Sequence, residues 1–125
     1  MVQGEIELLK TLGVTRFQEG YILVSREIDQ ELLTFDPEDQ LLFKNIDDII
    51  EAWNPEGENC NGHISSYFED SWVIFHIVRA GVDSEGIQKY VDWYVREFNE
   101  IDNVERLLIE SRDITRKLVE CRKSL

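Results

Sequence analysis

The sequence predicts an α+β fold: a single domain over residues 1–125, with an antiparallel sheet of about five strands and helices packed on it, in the order α-β-β-β-α-β-β-α-α. Three observations carry that expectation. The first is Trp72-Val73-Ile74-Phe75-His76-Ile77-Val78, the longest nearly unbroken apolar run. It is rich in aromatic and β-branched residues, of strand length, and apolar on both faces, as in a central strand covered on each side. The second is a set of three short apolar stretches between residues 21 and 44, separated by turn-forming residues in the manner of a meander. The third is a change to helical periodicity after residue 84.

Residues 3–12 read as a short helix with Val2, Ile6 and Leu9 on one side, acidic residues (Glu5, Glu7) near its start and Gly13 as a left-handed stop. After Gly20, Tyr21–Ile28 reads as a strand, Asp29-Gln30 as its turn and Glu31–Phe35 as the next strand. Asp36-Pro37-Glu38-Asp39 has proline at the second position of a turn, and Leu41–Lys44 follows as a third strand. Asn45 then opens a helix whose Ile46, Ile49, Ile50 and Trp53 form one buried stripe, leaving Asp47, Asp48 and Glu51 off it. Asn54-Pro55 stops that helix, and residues 54–62 form a loop.

His63–Phe68 is expected to pair with the central run through a tight turn at Glu69-Asp70-Ser71. Asp83 or Ser84 caps a helix over about residues 84–99, with Ile87, Tyr90, Val91, Tyr94, Val95 and Phe98 as its stripe. Asp102 and Glu105 form a capping box for a last helix over about 103–123, its buried side Val104, Leu107, Leu108, Ile114, Leu118 and Cys121. Opposite charges at Asp102/Arg106, Arg106/Glu110 and Asp113/Lys117 support it at i, i+4 spacing.

A chain of 125 residues with 42% hydrophobic and 10% aromatic residues can bury one core and is not of disordered composition. No apolar run reaches membrane-spanning length, residues 1–20 lack a secretory pattern, and two distant cysteines suit a reducing compartment. A cytoplasmic location is the expectation.

Charge narrows the function classes. Thirteen basic residues against 26 acidic ones give a net charge of −13. Residues 1–62 hold 4 basic and 14 acidic side chains, net −10; residues 63–125 hold 9 and 12, net −3. Such a field repels nucleic acid and anionic lipid and speeds association with basic partners.

No catalytic, metal or cofactor site is expected. Cys60, His63, His76 and Cys121 make a zinc-type donor set, but a hairpin with a three-residue loop would place His63 and His76 on opposite sheet faces. Cys60 beside His63 lacks an orienting third group, and the surrounding carboxylates disfavour a thiolate. The turn at Asp36, Glu38 and Asp39 lacks the glycine and glutamate of a calcium loop, and no phosphate-binding glycine loop or GxSxG elbow occurs.

Binding features are stronger. Asp36, Glu38, Asp39, Asp47, Asp48 and Glu51 fall in a segment, Glu27–Glu51, that carries nine acidic residues against Lys44 alone. Trp93 lies about 130° from the centre of its helix's buried stripe, flanked by Lys89 and Arg96. Arg112, Arg116 and Lys123 share a face of the last helix with Ile109, a surface suited to the acidic half of a second copy. The expected function is that of a small acidic protein-binding module, a stoichiometric inhibitor or immunity-type protein occluding a basic partner such as a nuclease toxin or another nucleic-acid-binding protein. Its partner is then a protein, with no direct binding of nucleic acid or membrane. A phage-type DNA mimic directed at defence enzymes is one alternative, and a small enzyme or ligand-binding domain with scattered pocket residues is the other.

Overall fold

Eight consecutive residues, Ser71 to Val78, are buried on every side of a single helix in the computed structural model. The stretch expected to be a central strand is therefore helical, and every regular element among the described residues is an α-helix. The structure describes residues 2–17, 19–20, 23–55, 67–98 and 101–123. The six helices are α1 (Gln3–Thr11), α2 (Ser25–Leu32), α3 (Pro37–Trp53), α4 (Phe68–Arg79), α5 (Ser84–Phe98) and α6 (Ile101–Lys123). This corrects the α+β expectation: no strand of the five-stranded sheet is present among the described residues.

The physical reason lies in burial. A short apolar run reads alike as a central strand or as a helix covered all round, because neither shows a polar face. What marks α4 as a helix stands at its ends. Glu69 and Asp70 occupy the first turn and Arg79 the last, the order that the helix dipole favours. Ala80 donates its N–H to the His76 carbonyl at 3.0 Å, and Gly81 follows in the left-handed region at φ 83°. Arg122 of α6 completes this end, donating from Nη1 to the Val82 carbonyl at 2.7 Å and the Val78 carbonyl at 3.4 Å.

The three-strand meander dissolves for local reasons. Pro37 stands at the first position of α3, where its missing N–H costs nothing, and Asp36 holds the N-cap position with Glu38 and Asp39 in the first turn. Residues 41–44, expected as a strand, lie inside α3, where Leu42, Phe43, Ile46 and Ile50 face the core. The helix begins eight residues before the expected start at Asn45 and ends at Asn54, in the left-handed region with φ 48°. Likewise Ser25–Leu32 is helical through the expected turn at Asp29-Gln30, and the Val24 N–H donates to the Glu27 carboxylate at 3.3 Å. Tyr21, Ile22 and residues 63–66 lie outside the described residues.

Periodicity is a sounder guide where a helix has a wet face. Along α5, Ile87, Tyr90, Val91, Tyr94 and Val95 are buried as the stripe predicts, and Asp83 accepts the Gly86 N–H at 2.8 Å as its cap. In α6, Leu107, Ile114 and Leu118 are buried and Val104, Leu108 and Cys121 partly so; the side chain of Asp102, and with it the capping box, lies outside what is described. Gly13 stops α1 at φ 81°, although the inward residues there are Leu9 and Glu5, while Val2 is exposed.

The core is built around α4, with α2, α3 and α6 packed against it and α5 lying along α6. Trp72, Phe75 and Ile77 at its centre are each at most 1% exposed. Polar ties fix the neighbours: Ser71 donates to Asp47 of α3 at 2.8 Å and Tyr94 of α5 to Asp70 at 3.0 Å. Tyr90 donates to Glu5 at 2.7 Å, drawing α1 onto α5. Among the described residues no helix is long and apolar enough to cross a membrane.

Candidate functional site

The six carboxylates singled out in the sequence lie on or beside α3, but the helix divides them into two groups. Glu38, Leu41, Lys44, Asp48 and Ala52 are exposed and fall at helical spacing along its outer side. Asp36 is exposed at the N-cap position. Asp39 and Asp47 instead turn toward the protein. Asp39 holds Arg79 of α4 in an ion pair at 3.3 Å, and Asp47 receives the hydroxyl of fully buried Ser71. Glu51 is half-buried. Asp48 carries an exposed pair to Lys44 at 3.0 Å, of the kind worth about 0–1 kcal/mol.

The outer row of α3 runs into a groove against α6, about 440 Å³ in volume. Ile49, Trp53 and Ile114 give it an apolar lining, and Asp48, Glu110 and Asp113 supply carboxylates, with Lys117 as the one lining cation. Asp113 is bound by Arg116 at 2.6 Å and by Lys117 at 3.3 Å, and these donors hold its carboxyl below the usual range. Sequence reading missed Glu110 and Asp113 as members of this surface. They reach it only because α6 packs on α3, a pairing that no local pattern encodes.

Trp93 is half-buried, its ring tilted 36° to that of Tyr90 at 5.8 Å between centroids, and it packs against the core. Of the basic face on α6, Arg116 is engaged by Asp113 and Glu120. Cys60 and His63 lie outside the described residues, and with residues 72–78 helical the hairpin register used to separate His63 from His76 does not exist. Among the described residues no group of three or more potential metal ligands comes together.

A second concavity, about 380 Å³, opens at the C-terminal end of α4, where it meets the segment after α1. Thr15, Arg16, His76 and Arg79 bring the polar groups to its lining. The His76 ring lies edge-on to Trp72 at 4.4 Å and near Phe17, Phe35 and Phe75. Burial, and then the positive charges of Arg16 and Arg79, push its pKa down to about 3, so the imidazole is neutral at neutral pH. Its Nε2 is buried and has no hydrogen-bond partner. Reading 72–78 as a strand concealed this site, since His76 and Arg79 share a face only at the i, i+3 spacing of a helix.

Comparison with protein-family models, with curated proteins and with solved structures returned no match.

Proposed function

We propose that this chain is a non-catalytic acidic binding module that docks a basic protein, of the kind that acts on nucleic acid, and occludes it. The observation that carries the reading is the α3–α6 groove, where carboxylates at Asp48, Glu110 and Asp113 border apolar area from Ile49 and Trp53, with exposed Glu38 and Leu41 earlier along the outer side of α3. Charge at the rim steers encounter and fixes register, while the apolar floor supplies area for an anchoring side chain. A net charge of −13 extends the steering beyond the contact itself. Asp36 stands at the start of α3 and Glu51 near its end, whereas Asp39 and Asp47 are engaged by Arg79 and Ser71 and Trp93 packs against the core.

The test is association kinetics with the native partner, recovered by affinity capture, at ionic strengths of about 0.01 M and 0.1 M, between which the Debye length falls from roughly 30 Å to roughly 10 Å. Glu38→Lys with Asp48→Lys reverses two exposed charges without touching Asp39 or Asp47. The double variant should associate at least tenfold more slowly at low salt, with a shallower salt dependence. An unchanged rate and an unchanged salt slope would remove the reading.

A further inference from the structure

The pocket at the end of α4 has a lining chemistry opposite to that of the chain. In a protein of net charge −13, its charged lining groups are two guanidiniums, with a hydroxyl and an imidazole beside them and no carboxylate. The two guanidiniums are held in place from outside the lining. Arg16 lies over the Trp72 ring at 5.9 Å and binds Glu31 through Nη2. Arg79 lies over the Phe35 ring at 4.7 Å and binds Asp39 through Nε and Nη2. Each guanidinium thus keeps Nη1 for a further acceptor, since the carboxylates occupy other nitrogens.

His76 adds the second observation. The residue is only 8% exposed, and its neutral ring lines the pocket without adding charge to it. Two fixed arginines match the paired oxygens of a phosphate or carboxylate. No carboxylate belongs to the lining itself; Glu31 and Asp39, outside it, are each paired with one guanidinium.

We propose that this pocket binds the oxyanion group of a small ligand, a phosphate or a carboxylate, between Arg16 and Arg79, with the His76 ring as part of its wall. The site lies apart from the docking surface proposed above, and its ligand is an anion where that surface takes a cation, so either reading can fail alone.

The experiment titrates the wild-type protein at constant ionic strength with inorganic phosphate and, separately, with succinate. NMR follows the His76 ring and the Arg16 and Arg79 side chains. A saturable shift of these signals, weakened at least tenfold in Arg79→Gln and unchanged in Lys123→Gln, supports the site. Saturation by phosphate alone identifies a phosphoryl ligand, and saturation by succinate alone a carboxylate. Absence of a saturable shift with both probes overturns the proposal. So does an Arg79→Gln affinity equal to wild type, or an equal loss in the two variants. Arg16→Gln, which removes the other guanidinium and leaves α4 intact, repeats the test independently.

Discussion

Helices α4 and α5 are similar in length, 12 and 15 residues, and both contribute large side chains to the core, yet they meet water differently. On α5 the buried residues form one stripe, and Lys89, Arg96 and Glu97 face out. On α4 the residues from Ser71 to Val78 are all buried, because α2, α3 and α6 lie around it. Hydrophobic periodicity is the record of a boundary with solvent. A helix without such a boundary leaves no period, however regular its backbone.

The contrast is broken most severely by substitution. Trp72→Ala should cost about 3–5 kcal/mol in chemical denaturation, since no side of α4 can relax into solvent. Lys89→Ala on the wet side of α5 should stay within about 0.5 kcal/mol of wild type. A Trp72→Ala cost below about 1 kcal/mol would mean that α4 is not the centre of the fold.

Acid sharpens it next. His76 is held neutral in the folded chain down to about pH 3, against an ordinary value of 6.5, so between these values the unfolded chain binds the additional proton. Stability contributed by the neutral ring is fully present above about pH 6.5 and is lost as pH falls toward 3, by at most about 1.4 kcal/mol per pH unit. Glu5 opposes it: desolvation raises its pKa, so its share is present at low pH and lost as pH rises through the raised value. Urea midpoints measured between pH 7 and pH 4 should fall with pH in wild type, and His76→Gln should flatten that limb. A limb in His76→Gln with the same slope as in wild type would contradict the buried neutral ring.

The smallest effect belongs to α5. Removing its cap in Asp83→Ala should cost about 1 kcal/mol, because the Gly86 N–H loses its acceptor at a wet helix end. Circular dichroism should show little loss of helix. A cost near that of Trp72→Ala would erase the distinction between the two helices.

The same distinction explains what was legible. Ile87, Tyr90, Val91, Tyr94 and Val95 could be read directly, as could Gly13 closing α1, and the sequence narrows the cap to Asp83 or Ser84, of which Asp83 accepts the Gly86 N–H. Pro37 was visible but ambiguous: proline with a preceding Asp serves the second position of a turn and the first position of a helix equally well. Only the spacing of Leu42, Phe43, Ile46 and Ile50 separates the two, and it emerges once 41–44 is joined to the residues after it. The carboxylates of α3 were identifiable as a charged segment, but their sorting was not. Asp47 and Asp48 are neighbours in sequence, yet one meets Ser71 and the other faces out because α4 lies on one side of α3. The groove with Glu110 and the pocket at His76 both depend on which helices pack together, and a single sequence does not state that.

The bond from Tyr90 to Glu5 spans 85 positions of the chain, and this sets an order of events during synthesis. Elongation at roughly 5–20 residues per second leaves α1 without its α5 partner for roughly 4–17 s after Glu5 is made. In that interval the Glu5 carboxyl is hydrated and ionised, and α1, at nine residues, is too short to hold its helix in water unaided. Docking of α1 is therefore a late step, taken against the cost of drying a carboxylate. Helix α1 is made well before its partner and settles only after it.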